Sequence, residues 1–574
     1  MLLLNILLID WESKCPLSYS DEIVCEDKYM NIGFFLGYAP HTVLKKEGLG
    51  RYTANLIQGF IRTGNKVTIA CPAWLMKDVE DLLEDFRIEK KEIKFIVSNW
   101  VPVIWKIYDK VTYDKNKKVK EHGSIRKIVK VFCDEGFMKI LEITNALFFI
   151  LVIILLLAAL IIALPLIAIA AVLGLLCTIF LKIKCKIKGK INDKNYLKQF
   201  GTNFRDSGYN LYLYVINWLQ EKSTEDIVRK INHAKHNVDI WYSPSFFWKA
   251  FNKIEGTKVI NAPDLVTSEF PEKFADERFT ILSLNNIEHT IEHGDYFVVY
   301  CDFIKKTLLM NKFNKKSENV IAIPHGINSL AEIIEIGKNE TKRFNVGNEF
   351  SEAFARSILQ TLPPKNISII SYTGTFVFED TKYLFYSSQA RPHKNILNLI
   401  KAYEKVLRKR YYNVKLIMTC NLDVIPETKQ YVLEKGLEKD ILTFQNVTNQ
   451  QLAALYYCAE LVVNPTLYEG GFPFTFGEGM SVGTPSIMGK IPQVEDVVRG
   501  YDLEDCLFDP YNVADMENKI VYGLEHRDII LKKQQKLFDE LNKRTWNAVA
   551  KEYLTAFETF ISMESVKQGN AQTG

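Results

Sequence analysis

Between Ala146 and Leu181 the chain carries 36 consecutive residues without a charge, ALFFILVIILLLAALIIALPLIAIAAVLGLLCTIFL. As one helix this run would be about 54 Å long at 1.5 Å per residue, too much for a single crossing of a hydrocarbon core roughly 30 Å thick. Pro165 falls near its middle, where a missing N–H and a ring clash bend or break a helix. Two shorter helices fit better. Residues 146–164 would reach about 28 Å, and residues 166–181 about 24 Å with Lys182 snorkelling to the interface. A soluble fold would have to surround so long an apolar run on all sides. It reads as a membrane hairpin, either crossing fully or re-entrant.

Candidate strands of one sheet stand on both sides of this run: Val67 to Ala70 before it, and Val238 to Tyr242 and Val320 to Ile323 after it. Strands of one sheet share one compartment, so both ends of the insert belong on the same side of a bilayer. The flanks agree. Lys127, Lys130 and Lys139 precede the run and Lys182, Lys184, Lys186, Lys188 and Lys190 follow it, which by the positive-inside tendency places both ends at the cytoplasmic face of a cell membrane. The flanks from about Trp105 to Tyr113 and from Asp193 to Tyr214 are charged and aromatic enough to lie along a membrane surface, which makes residues 105–215 a membrane-associated insert.

At 574 residues the chain exceeds one ordinary core, and two large domains with an addition fit the length. A formal net charge of +4 is too mild for a nucleic-acid-binding face. Ten scattered cysteines contain no C-x-x-C pair, which argues against a zinc site or a disulfide framework and for a reducing setting. The opening MLLLNILLID lacks a basic n-region and is interrupted by Asn5 and Asp10, so it reads as a first buried strand rather than a signal peptide.

The segment EGLGRYTANLIQGFIRTGNKVTIACP gives a glycine turn at Gly48 and Gly50, a helix with apolar positions at Leu56, Ile57, Phe60 and Ile61, a stop and a strand. The pattern weakens after IPHGINSL and resumes with YLFYSSQ, the first strand of a second domain. Helix Ile396 to Arg408, strand Val414 to Thr419, strand Ile441 to Phe444, the cap-like VTN, helix Gln450 to Cys458 and the Leu461 strand then follow. Repeated βα units mean an α/β fold with parallel, doubly wound, Rossmann-like sheets. The expected domains are 1–345, interrupted by the insert, and 346–513. A terminal helical region, 514–574, crosses back to the first.

In LVVNPTLYEGGFPFTFGEGMSVGTP, Leu461 to Pro485, a short charge-free strand runs into a glycine-bearing loop with a carboxylate at each end, Glu469 and Glu478. Ligands of open α/β sheets lie outside the carboxyl ends of the strands, where the next helix offers unpaired N–H groups to anions. Gly470 and Gly471 let backbone approach a ligand closely. A carboxylate accepts two hydrogen bonds side by side, matching adjacent sugar hydroxyls. In ARPHKN, Arg391 and Lys394 occupy an earlier strand-to-helix connection at the same sheet edge, where they are suited to a departing diphosphate.

The ordered series EGLGRY, IPHGIN, ARPHKN, VTNQQLAALYYCAELVVNPTLYEGGFPFTFGEGMSVGTP, CLFDP and the helix bearing Trp546 resembles the group 1 (family 4) retaining glycosyltransferases of two-Rossmann-domain (GT-B) architecture. The resemblance covers roughly residues 1–100 and 235–560, not the insert. It implies that Gly48 and Gly50 approach acceptor and phosphate, that Arg391 and Lys394 bind the donor diphosphate, that Glu469 addresses the sugar and that Glu478 addresses the ribose. Backbone at Phe474 and Thr475, with Gly470 and Gly471, would complete the donor site. Arg391, Lys394 and Glu469 are the catalytic expectations. No metal or other cofactor is implied, and no Asp-x-Asp motif is placed to hold one.

Two departures from the family pattern stand out. Eight residues separate Glu469 from Glu478 where the family usually has seven. Either the glycines absorb a bulge, or Gly470 occupies the first carboxylate's place. Pro263 precedes Asp264 where many relatives carry a histidine, leaving Asp264, His289 and His293 as acceptor-side candidates. The expected function is hexose transfer (mannose, glucose or galactose) from a nucleotide diphosphate sugar to a lipid-linked or cell-surface glycan, as in capsule or lipopolysaccharide assembly. The alternative is a degenerate, membrane-anchored scaffold of a glycan-assembly complex.

Overall fold

The computed structural model describes residues 29–40, 42–98, 100–102, 148, 150–155, 215–233, 237–273, 278–334, 349–362, 378 and 381–573. Strands β1 (Asn31–Phe35), β2 (Lys66–Pro72), β3 (Ile93–Ser98), β4 (Ile240–Ser243), β5 (Lys258–Asn261), β6 (Tyr296–Val299) and β7 (Val320–Ala322) form one sheet in the order β3-β2-β1-β4-β5-β6-β7. A second sheet, ordered β10-β9-β8-β11-β12-β13, contains β8 (Tyr383–Tyr386), β9 (Lys415–Met418), β10 (Ile441–Thr443), β11 (Leu461–Asn464), β12 (Ser486–Gly489) and β13 (Leu507–Phe508). All the pairings are parallel.

These strands read as uninterrupted apolar runs because helices cover both faces of a parallel sheet. YLFY and LVVN, for example, are buried at every position. Strand order reverses between β1 and β4 in the first sheet and between β8 and β11 in the second, and such reversals open a crevice at the carboxyl edge. Strands from before and after the insert do lie in one sheet, as β2 and β4 show.

MLLLNILLID lies outside the described residues, and the first described strand is β1, Asn31–Phe35. The insert falls almost wholly outside them too. Residues 148 and 150–155 are helical, with Phe148, Ile150, Leu151, Ile153, Ile154 and Leu155 exposed. The expected hairpin is therefore not seen: among the described residues no helix is long and apolar enough to cross a membrane. Leu330 and Ile334, on the first-domain side of the expected boundary near residue 345, pack into the core of the second sheet with Tyr383 and Phe385.

The terminal helical region is three helices, Val513–Glu525, Arg527–Asn542 and Trp546–Thr573. The last returns to the first domain. Val549, Ala550, Tyr553, Ala556, Phe557 and Phe560, one stripe at helical spacing, are buried in the core formed with β1, β2 and helix Gly48–Arg62. Gly59 permits this approach, since a Cβ there would meet the Ala550 methyl at 2.8 Å. The Tyr52 and Tyr553 hydroxyls join the two helices at 2.5 Å.

Candidate active site

The connection after β8 is shaped by Asn395, which sits in the left-handed region at φ 56°. Its side-chain amide donates to the carbonyls of Pro465 at 3.0 Å and Pro510 at 2.7 Å, pinning the connection to the loop after β11. The Leu467 N–H donates to the His393 carbonyl at 2.8 Å. The consequence is a fixed approach of two side chains: Lys394 Nζ lies 2.5 Å from Glu469 Oε1, with both groups mostly buried.

Arg391, more exposed, lies 3.8 Å from Glu47 at the end of the first domain's β1 connection. The two basic residues thus both carry carboxylate partners. Asp264, from the loop after β5, faces them from the first domain. Its carboxyl is raised above the usual range because burial disfavours the charge and Glu469 repels it, against the pull of Lys394 and Arg391.

Glu478 projects from helix Phe474–Ser481 and is buried. Tyr456 donates its hydroxyl to Glu478 Oε2 at 2.8 Å. Burial raises this carboxyl, while Arg51, Tyr456 and Asn328 hold it down. Tyr456 is placed by helix Asn449–Tyr457, whose start is fixed by a reciprocal Thr448–Gln451 capping box. Arg51 and Asn328 belong to the first-domain side, so Glu478 faces across the cleft as well as along its own domain.

Thr475 Oγ1 accepts from the Asn464 amide at 2.9 Å, which braces the first turn of helix Phe474–Ser481 against β11. Phe474 stacks on His325, ring centroids 3.8 Å apart, and His325 Nε2 bonds the Phe472 carbonyl at 2.8 Å. Burial lowers the imidazole pKa of His325. His325 therefore braces the glycine loop from the first-domain side.

Gly470 lies against the Pro263 carbonyl, where any Cβ would collide, and Gly471 lies where a Cβ would sit 3.0 Å from Tyr300 Cβ. Gly470 therefore has no room for a side chain, and Gly471 has only tight surroundings. Gly470 cannot stand in for the first carboxylate, and Glu469 is the group that reaches Lys394. Gly48 and Gly50 are not a loop: they are the first and third residues of helix Gly48–Arg62, because the turn preceding them is taken by Leu44–Lys46. A Cβ on Gly50 would collide with the Leu44 carbonyl, whereas Gly48 faces open space.

Arg391, Lys394, Glu469 and Glu478 thus share one sheet edge at the β8/β11 reversal, and Gly470, Gly471 and Phe474 line the interface with the first domain. Asp264 joins them. His289 and His293 do not: they stack on each other along helix Arg278–His293, and the charged groups acting on His289 are Lys249, Lys253, Glu292 and His293. Arg51, Asn328, Tyr456, Asn395 and His325 carried no assigned role in the sequence reading. EGLGRY, IPHGIN, VTNQQLAALYY and ARPHKN contain all five, so motif membership was the available signal. A cavity of about 750 Å³ adjoins the site on the far side of the glycine loop, lined among others by Tyr300, Lys305, His325, Phe474, Arg499 and Arg544. The four charged residues do not line it. Among the described residues no cluster of His, Cys, Asp and Glu is arranged to hold a metal.

Residues 374–541 match the family described as glycosyl transferases group 1. This segment is a group 1 glycosyltransferase domain. The chain is similar to an uncharacterised glycosyltransferase of Methanocaldococcus jannaschii, 23% identical over 33% of this chain and 47% of that protein. It is also similar to the serotype-specific mannosyltransferase WbdA of Escherichia coli, 31% identical over 24% of this chain and 16% of that protein. The chain thus spans less than half the length of either relative. In fold, HepE of Anabaena, solved in complex with UDP and glucose, superposes with a TM-score of 0.51 at 11% identity, over 92% of this chain and 100% of that one. The matched segment therefore sits in a two-sheet α/β architecture whose fold is shared with HepE.

Proposed function

We propose that the chain is a retaining glycosyltransferase that moves a hexose from a nucleotide diphosphate sugar to a glycan or lipid-linked acceptor at the cytoplasmic face of a membrane. The observation that carries this reading is the Lys394–Glu469 pair at the strand-order reversal, with Arg391, Asp264 and Glu478 around it. Arg391 and Lys394 exchange their carboxylate partners for the donor diphosphate and stabilise the charge that develops on it as the sugar leaves. The N-terminus of helix Phe474–Ser481 adds backbone donors and the positive end of its dipole. Glu469, released from Lys394, orients the sugar hydroxyls. Glu478 accepts from the ribose hydroxyls. The departing phosphate deprotonates the incoming acceptor hydroxyl on the same face, so no enzymic nucleophile is needed and configuration is retained.

Mannose is the favoured sugar, on the similarity of the domain to a serotype-specific mannosyltransferase. What supports the membrane is the sequence of the insert together with its root. Trp100, just before the insert, and Trp218, just after it, touch with ring centroids 5.6 Å apart, so the chain leaves and re-enters the first domain at one point. Holding the cleft beside a bilayer raises the effective concentration of a lipid-borne acceptor.

The test is a transfer assay on the full chain with UDP- and GDP-hexoses, using vesicle-borne and soluble glycan acceptors, in wild type and Lys394→Ala. The expected result is turnover with one donor, with product of the donor's anomeric configuration, lost by two orders of magnitude or more in the variant. Absence of transfer with every donor, in a protein that still assembles with membranes, would instead support a scaffold role.

A further inference from the structure

We propose that the cavity on the far side of the glycine loop, between the two domains, binds a nucleotide at a site separate from the one built on Lys394 and Glu469. Binding stands on the cavity itself and goes beyond the transferase reading; only its effect on turnover rests on that reading. The cavity, about 750 Å³, falls within the roughly 300–1,000 Å³ typical of small-molecule sites, which are apolar with a few placed polar groups. Its body is apolar. Phe472 and Phe474 of the glycine loop, Ile327 of the connection between the domains and Val497 of helix Pro492–Val498 line it, all half-buried and so partly open to an occupant. Aromatic and aliphatic faces suit a flat base, whereas the hydroxyls of a bare sugar find few partners on them.

The inner charges are cationic. Lys305 is half-buried and has no carboxylate within ion-pair distance among the described residues. Arg544, its side chain 27% exposed, is fixed through Nη2 to the Pro324 carbonyl at 2.9 Å and to Glu552 at 3.0 Å, while Nη1 bonds no described residue. Three carboxylates also line the cavity, Asp302, Glu318 and Asp496. All three are exposed, where water screens them, and Asp496 is taken by Arg499 at 2.9 Å. A phosphate therefore finds its counter-ions at Lys305 and Arg544, beside the apolar wall. Lys305 also opens a π-helical segment, Lys305–Lys312, an arrangement frequent at functional sites.

The occupant is soluble rather than a membrane lipid. Trp100, at the root of the insert, follows β3 at one edge of the first sheet, and Val320 and Ala322 of β7, in the cavity wall, form the opposite edge. Six strand spacings of about 4.8 Å put roughly 29 Å between the two edges. The cavity wall does reach the other site. Cys301 donates from Sγ to the Gly470 carbonyl at 3.5 Å, His325 holds the Phe472 carbonyl at 2.8 Å, and Asn328 bonds Glu478. A nucleotide in the cavity thus presses on the loop that carries Glu469, and it and the donor change each other's affinity by the same factor.

Calorimetry on the purified full chain uses UMP, GMP and AMP as probes, with inorganic phosphate and mannose 6-phosphate as controls, in wild type, Lys305→Ala, Val497→Trp and Lys394→Ala. Lys305→Ala removes an inner cation and Val497→Trp fills the cavity. Thermal unfolding checks both, and if Val497→Trp fails to fold, Lys305→Ala carries the test. The expected result is that at least one nucleotide binds, with Kd raised at least tenfold by Lys305→Ala and by Val497→Trp and less than twofold by Lys394→Ala. Both controls bind at least tenfold more weakly. Saturating nucleotide moves the donor KM at least threefold in wild type and leaves it unchanged in Lys305→Ala. Absence of binding by all three nucleotides overturns the second site, and so does binding that is lost in Lys394→Ala and kept in Lys305→Ala. A control that binds as tightly as the nucleotides overturns the assignment of a base. UDP and GDP are titrated into the same samples: a chain that binds neither of them through Lys394, yet holds a nucleotide through Lys305, overturns the transferase reading and leaves the second site standing.

Discussion

Lys394 and Glu469, 75 positions apart in the chain, meet at 2.5 Å in the crevice where the second sheet reverses its strand order. The pair does more than hold two loops together. On the transferase reading proposed above, the carboxylate holds the place on the ammonium that a diphosphate oxygen would take, so donor binding would be an exchange of anions rather than a simple capture. Arg391 repeats the arrangement with Glu47, more openly to solvent and so more weakly.

Removing the competitor therefore separates nucleotide binding from turnover. Glu469→Gln frees Lys394 and is expected to tighten UDP or GDP binding, about three- to tenfold for a partly buried pair worth roughly 1 kcal/mol. Turnover of the sugar nucleotide should fall about 100-fold at the same time, because on the proposed reading Glu469 orients the hexose. Calorimetry with the nucleoside diphosphate and a transfer assay on the same preparation read the two effects, which move in opposite directions.

The glycines make a second contrast. At Gly470 a Cβ collides with the Pro263 carbonyl across the interface, and at Gly48 it meets nothing. Gly470→Ala is expected to destabilise by about 1–3 kcal/mol as the loop is forced away from the first domain, and to lower turnover more than tenfold through displaced Glu469. Gly48→Ala, in the first turn of a helix with ordinary backbone angles, should stabilise by up to about 1 kcal/mol. Denaturant unfolding of both variants measures the difference in sign.

Much of this site was legible because its parts carry short-range signals. The buried strand before Glu469, the Thr448 capping box and the helix Ile396–Arg408 each follow from local pattern, and they deliver Lys394, Glu469 and Glu478 to one edge. What was not legible depends on how two domains meet. Arg51 and Asn328 matter because the first domain brings them to a carboxylate of the second, and no local period reports that; Asp264 was an acceptor-side candidate, but its place beside Glu469 and Lys394 was not readable. Strand β1 was missed for a different reason. Its run NIGFF is broken by Gly33, which is present because the Trp241 indole of the neighbouring strand covers it and leaves no space for a side chain. The glycine that weakens the strand signal is demanded by sheet packing.

Glu478 makes stability depend on pH with a definite sign. Its carboxyl is raised in the folded protein, chiefly by burial, so the fold binds its proton more readily than the unfolded chain does. The stability this group contributes is complete below the ordinary carboxyl value of about 4.5 and is lost as pH rises through the raised folded value. Glu478→Gln keeps an oxygen for the Tyr456 hydroxyl and removes the charge. It should melt a few degrees higher than wild type at pH 7.5, with the gap closing as the pH approaches 4, while donor KM rises at least tenfold. Melting curves across that range, paired with kinetics at one pH, check both halves.

The tie between the terminal helix and the first domain is testable at the hydroxyl pair of Tyr52 and Tyr553, both fully enclosed. Tyr553→Phe leaves the Tyr52 hydroxyl buried without its partner and should cost about 1–3 kcal/mol, and Tyr52→Phe should cost a similar amount for the same reason. The double variant removes both polar groups while keeping both rings, including the packing of Tyr553 on Phe557 and Tyr242. Its loss should fall well short of the sum, with a coupling of about 0.5–3 kcal/mol in a double-mutant cycle. Additive losses would mean that the helix is held by apolar burial alone and that the hydroxyls act independently. Because Trp546 at the start of this helix packs on Tyr52 and reaches Asn328, which bonds Glu478, the single variants should also raise donor KM. The double variant, which leaves neither hydroxyl of the pair without its partner, should restore most of it.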